Sequence, residues 1–219
     1  MSKDISSVYN SYCIPRELRM HMFRVTAVAQ LISDHWEEKP LDNKLLARVL
    51  LIHDLGNLAK IDPTTLSAQD FALPCTLDQF VRVRAAFMGK FGSDDHRISA
   101  AIAQELGYSA NEIDFMNRKT FIRNDETLVS SDFNLKVAAY ADQRVSPTGI
   151  DSLSGRLSEA KERYRDKPGS SMNNPRTDML IRCALDIETQ IMKHCTLGAD
   201  QITDLRAAPI VLQLERYEL

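Results

Sequence analysis

An all-α fold is what this sequence predicts, and three observations carry the prediction. Eight glycines and eight prolines among 219 residues are a little over half the usual share of ~12%, too few turn formers for a sandwich or barrel of many short strands. Apolar residues recur at helical spacing along most of the chain, and no run of alternating apolar and polar residues of any length interrupts them. Helix starts and stops are also written locally, as capping residues before the apolar stripes and glycines after them.

The elements follow in order. From Pro15 to about Glu37, Leu18, Met22, Val25, Val28, Ala29 and Ile32 mark one face of a long amphipathic helix. Asp42 is placed to cap the next, in which Leu45, Leu46, Val49, Leu50, Leu51 and Ile52 are apolar on nearly every side, so a central helix is expected to stop near Gly56. Residues 63–76 read as a loop. Thr76 opens a helix to Phe91 with Phe80, Val83 and Phe87 in period and Gly92 after it. Ser93 or Asp94 opens another to Leu106, closed by Gly107. Ser109 with Glu112 forms a capping box for a short helix. Further helices are expected from about Ser131 to Val145, from Leu153 to Arg165, from Arg176 to about Cys195 and from about Asp200. The run KPGSSMNNP is the one linker. The expected organisation is therefore a helical domain over 1–166, a linker over 167–175, and C-terminal helices over 176–219 as an appendage. Their apolar face, with Met179, Ile181, Cys183, Ala184, Ile187 and Ile191, must be covered by the bundle, the preferred reading, or by a second subunit.

Composition narrows the function. A formal charge of −3 with no basic run argues against nucleic acid as a partner, because such proteins carry a clustered positive face. The longest uncharged stretch, Ile5 to Pro15, is well short of the ~20 residues that span a bilayer, so no membrane association is expected. Lys3, Asp4, Arg16, Glu17 and Arg19 leave no apolar segment for a signal peptide, and a cytoplasmic location follows as an expectation. Cys13, Cys75, Cys183 and Cys195 are far apart in sequence, which argues against a thiolate zinc site and for free thiols.

Chemistry enters with the histidines, of which there are five. His21 sits on the apolar stripe between Leu18 and Val25. His53 and Asp54 are adjacent inside the most apolar helix, about 100° apart around its axis, and Asp142 falls one turn after Ala138 on a stripe of small residues. A lone histidine on an apolar stripe is most often a satisfied core residue, and Asp142 has Arg144 and Arg24 as conceivable partners. An adjacent His-Asp in an otherwise apolar helix is harder to explain as packing, since a buried, unpaired carboxylate costs several kcal/mol. Two carboxylates beside two imidazoles point to a divalent cation.

The order His21, His53-Asp54, Asp142 on successive helices resembles the HD-domain superfamily of metal-dependent phosphohydrolases. The strings RMHMFRVTAVAQLI (19–32), VLLIHDLGNLAK (49–60), DDHRISAAIAQELG (94–107) and LKVAAYADQRV (135–145) resemble its blocks in order, and DSLSGRLSEAKERY (151–164) is similar to a segment of uncharacterised bacterial and archaeal members. The resemblance covers about 8–165. It implies an HD-type helical bundle in which His21, His53, Asp54 and Asp142 hold one divalent ion. The donor set suits Mn²⁺, Fe²⁺, Co²⁺, Ni²⁺, Zn²⁺ or Mg²⁺. The implied reaction is hydrolysis of a phosphoester of a nucleotide or similar small molecule by a metal-activated water, with Asp54 able to accept its proton. Two features depart from better-characterised members. Asn57 stands where nucleotide hydrolases often carry a water-activating Glu, and His96 is the only histidine between the HD pair and Asp142, which favours one metal over two.

Candidate substrate contacts are cations near these ligands in sequence: Arg24, one turn from His21; Lys60, seven residues past His53; and Arg144, two past Asp142. His96 is a candidate for touching the phosphate or protonating a leaving oxygen, against the alternative of a solvated residue at a helix start. Three classes stay open: a phosphohydrolase, a non-catalytic metal- or nucleotide-binding regulatory module, and a helical interaction domain with core histidines. The chain is expected to be a monomer or a homodimer.

Overall fold

The computed structural model describes residues 4–165 and 175–219, and among them every regular element is helical except one two-stranded ribbon. Helix α1 (Ile5–Ser11) leads into the long α2 (Arg16–Asp34) and the short α3 (Asn43–Leu50). After an irregular stretch come α4 (Leu77–Phe91), α5 (Asp95–Glu105), α6 (Ala110–Arg118) and α7 (Asn124–Val129). Helix α8 (Phe133–Arg144) runs into the antiparallel ribbon β1 (Val145–Ser146) and β2 (Gly149–Ile150), followed by α9 (Leu153–Arg163), α10 (Thr177–Met192) and α11 (Asp204–Leu214).

Local chemistry accounts for most boundaries. Asp42, Asp94 and Asp132 accept from the backbone N–H three residues on and start α3, α5 and α8, and Thr76 with Gln79 and Ser109 with Glu112 form reciprocal capping boxes on α4 and α6. Gly92 and Gly107 take positive φ just beyond α4 and α5, where a side chain would be strained. The loop expected over 63–76 contains two single 3-10 turns, Pro63–Thr65 and Ala68–Asp70. Helices α1 and α7, of 7 and 6 residues, are too short to show a period.

One boundary differs in a way that matters. The apolar run from Leu45 to Ile52 does not continue helically to Gly56: α3 ends at Leu50, and the chain turns through 51–54 into a 3-10 turn, Leu55–Ala59. The HD pair therefore lies at a helix terminus and not in mid-helix. The 3-10 turn is pressed onto α5 at Gly56, whose N–H donates to Ser99 Oγ at 2.9 Å. A Cβ at Gly56 would stand 1.9 Å from the Asp95 carbonyl oxygen, so only glycine allows this approach.

Helix α2 is the centre, packed against α3, α8 and α11, and accordingly it buries far more than one stripe, including Met22, Phe23, Val25, Val28, Leu31 and Ile32. Helix α8 is covered on two sides, by α2 on one and α10 on the other. The C-terminal helices are not a separate layer: Ala184, Ile187 and Ile191 of α10 and Ala207, Ile210 and Leu214 of α11 belong to the same hydrophobic cluster as Met22 and Leu50. The expected linker lies outside the described residues apart from Pro175. All four cysteines are buried free thiols, and among the described residues no helix is long and apolar enough to cross a membrane.

Candidate metal centre

The site is built where α3 stops. A helix end leaves carbonyls without intrahelical partners, and here two of them are satisfied from outside the ladder. The Tyr9 hydroxyl donates to the Leu51 carbonyl at 2.6 Å, and His53 Nδ1 lies 2.7 Å from the Leu50 carbonyl. A carbonyl only accepts, so the second contact puts a proton on Nδ1 and turns Nε2 toward the cluster, the arrangement that orients a metal-binding imidazole. His53 Nε2 is buried and has no hydrogen-bond partner.

Three other side chains converge on that nitrogen. His21 comes from the middle of α2, Asp54 from the turn, and Asp142 from the face of α8 that meets α2. One donor atom from each of the four lies within 4.8 Å of all the others. His21 Nε2 is 3.4 Å from Asp54 Oδ2 and 3.3 Å from Asp142 Oδ1. His53 Nε2 is 3.5 Å from Asp54 Oδ1 and 3.3 Å from Asp142 Oδ1. These separations are informative because direct charge-assisted hydrogen bonds run at about 2.7–2.9 Å, whereas ligands bonded to one metal at about 2.0–2.2 Å sit roughly 3–3.5 Å apart. The donor set and its spacing fit a divalent ion.

The electrostatics agree. Burial pushes the His21 imidazole down, but the carboxylates of Asp142 and Asp54 overcome it and raise its pKa to about 9. Burial likewise pushes the two carboxyls up, and it too is overcome. The imidazoles hold Asp54 well below the ordinary carboxylate range, and Lys119 together with the imidazoles does the same for Asp142. His53 is closed off, with 1% of its side chain exposed, while His21, Asp54 and Asp142 keep 21%, 28% and 25%. The cluster thus has a solvent-facing side on which a small molecule can approach.

Sequence reasoning missed Lys119. It follows the last turn of α6, its side chain is 5% exposed, and Nζ donates to Asp142 Oδ2 at 2.8 Å. Nothing in the local sequence marks it, because the contact joins residues 23 positions apart. Arg156 of α9 was also missed. Its Nε donates to the Val145 carbonyl, one turn beyond Asp142, and Asp142 acts on its charge.

The cations that sequence proximity singled out are placed otherwise. Arg144 is corrected: two residues past Asp142 is roughly 200° around the helix, so it shares the Val137–Tyr140 face and points away from the cluster. Its guanidinium donates to the Tyr140 hydroxyl and to the carbonyls of Asp151, Ala199 and Ile202, with Glu188 3.8 Å away. It is a buried structural cation and not a phosphate contact. Arg24 donates to Asp204 Oδ1 of α11 at 3.1 Å, and exposed Lys60 pairs with Asp95 at 2.7 Å. His96 is exposed in the first turn of α5 and shares no hydrogen bond or ion pair with the four ligand-type residues. In comparisons with known proteins, no family model, no curated protein and no solved structure matches this chain.

Proposed function

We propose that the protein is an HD-type, metal-dependent phosphohydrolase acting on a nucleotide or similar small phosphoester. The single observation that carries this reading is the convergence of His21, His53, Asp54 and Asp142 within 4.8 Å, with imidazole–carboxylate separations of 3.3–3.5 Å that suit one shared cation. The order of these residues and the surrounding strings, which resemble the HD superfamily, support it from the sequence side. His21, His53, Asp54 and Asp142 would hold the ion. Once bound, it would supply Lewis acidity toward a phosphoryl oxygen and lower the pKa of coordinated water towards neutrality.

The chain's own residues do the rest. The Leu50 carbonyl locks the His53 ring and its tautomer. Asp54 is part-exposed on the solvent side of the cluster, where it is the ligand-type carboxylate placed to take a proton. Buried Lys119 and half-buried Arg156 supply positive charge on the Asp142 side, the role that sequence reading gave to Arg144. Asn57 carries no carboxylate, so the ligand set supplies the proton acceptor in this reading.

The test is phosphate release over a panel of nucleotides and small phosphomonoesters and diesters, with Mn²⁺ or Co²⁺ added to protein purified without chelator. Metal-dependent turnover of at least one compound that is lost in Asp54→Ala is the expected result. Stoichiometric metal binding with no turnover on any compound would favour the non-catalytic regulatory module, the reading to which Asn57 points.

A further inference from the structure

The cation beside Asp142 changes the charge of the centre. Two carboxylates, Asp54 and Asp142, would balance a divalent ion, so the ligand set itself leaves no positive charge to attract a phosphate dianion. Lys119 adds one positive charge within the hydrogen-bonded cluster, and because its side chain is 95% buried that charge is poorly screened. Its contact also divides the Asp142 carboxylate. Oδ2 is bonded to the ammonium at 2.8 Å, while Oδ1 stands 3.3 Å from both imidazole Nε2 atoms, so Oδ1 is the Asp142 oxygen turned toward the other ligand-type residues. Of the three N–H donors of the ammonium, one is bonded to Asp142.

We propose that Lys119 is a positioning residue that holds Asp142 in one-oxygen presentation and makes the metal-loaded centre net cationic, favouring an anionic phosphoryl ligand at the expense of metal affinity. The inference rests on the metal-centre reading above. Two charges about 5 Å apart interact appreciably even at the effective dielectric of a protein site, so the two affinities must move in opposite directions when the charge is removed. A residue that served only to fold the site would weaken both or neither.

The experiment uses the full chain, Mn²⁺ alone as the first probe and inorganic phosphate on the Mn²⁺-loaded protein as the second, both by calorimetry. Lys119→Gln keeps a hydrogen-bond donor near Asp142 and removes the charge. It should bind Mn²⁺ more tightly, by roughly tenfold, and phosphate more weakly by a similar factor. Lys119→Arg, which keeps the charge, should retain phosphate affinity within about threefold of wild type. Weaker Mn²⁺ binding in Lys119→Gln, or unchanged phosphate affinity, would overturn the proposal. If Lys119→Gln does not fold, loss of phosphate binding in a folded Lys119→Arg would overturn it instead. Should the wild-type protein bind no Mn²⁺, the metal-centre reading itself fails. Should the wild type bind both probes while Lys119→Gln behaves identically, only the role of Lys119 falls.

Discussion

Two buried cations flank α8, and they have opposite characters. Among the described residues, Arg144 meets four hydrogen-bond acceptors and a nearby carboxylate on the α10 side, whereas Lys119 meets one acceptor, and that acceptor is a candidate metal ligand. A fully satisfied guanidinium joins loops to a helix and has nothing left to offer a ligand. A buried ammonium paired with a candidate metal ligand acts on whatever occupies the site beside it. Closeness in sequence ranked these two the wrong way round. Arg144, two residues from Asp142, is turned away from the cluster, and Lys119, on another helix, is bonded to it.

The comparison can be broken first at Arg144, where the largest effect is expected. Arg144→Ala leaves Tyr140, the carbonyls of Asp151, Ala199 and Ile202, and Glu188 without their donor, and removing one partner of a buried charged network costs about 3–5 kcal/mol. Chemical denaturation should show that loss, while the folded fraction keeps its metal stoichiometry. A variant of wild-type stability that has lost metal would place Arg144 in the site after all.

Metal removal comes next in size. Binding to the native state alone adds about 2.7 kcal/mol at a ligand concentration a hundredfold above Kd, so chelation should lower the melting temperature measurably. The chelated protein also has a defined pH response. His21 has its pKa raised to about 9 by the carboxylates, against burial. Its contribution to stability is then fully present below the unfolded histidine value of about 6.5 and lost as pH rises through about 9. A metal has to displace that proton, so Mn²⁺ affinity should climb over the same interval. Denaturation midpoints and Mn²⁺ titrations between pH 6 and pH 9.5 check both trends, and a chelated protein that gains stability with rising pH would contradict the charge assignment.

The smallest effect belongs to the surface. Lys60, 59% exposed, pairs with Asp95, and exposed ion pairs contribute about 0–1 kcal/mol. Lys60→Ala should leave melting temperature and metal stoichiometry near wild type. A large loss of metal would show that Lys60 reaches the centre.

Much of the fold was legible because its signals are local. The cap of α3 at Asp42, the start of α4 at Thr76, the capping box of α6 and the stripes of α2 and α8 lie where short-range reading puts them. The turn after α3 was not legible, since Leu51 and Ile52 are buried on all sides and an all-apolar run shows no period by which a buried turn differs from a buried helix. Neither were α1 and α7, which are shorter than the window in which a period appears. Within the site, the four ligand-type residues could be picked out because charge is anomalous on apolar faces. Lys119 could not, because no local pattern records a contact made between α6 and α8. The direction of Arg144 was readable in principle: Val137, Tyr140 and Arg144 share one face, and that stripe is not the one ending at Asp142.

The central claim is that four residues from α2, the turn after α3, and α8 form one divalent-cation site, and elemental analysis tests it most directly. Wild-type protein and Asp54→Ala would be purified without chelator, incubated with Mn²⁺ and desalted. The account predicts one ion per chain in the wild type and little in the variant, with both proteins folded by circular dichroism. A folded wild type that retains no divalent ion, or an Asp54→Ala variant that keeps full stoichiometry, would contradict it.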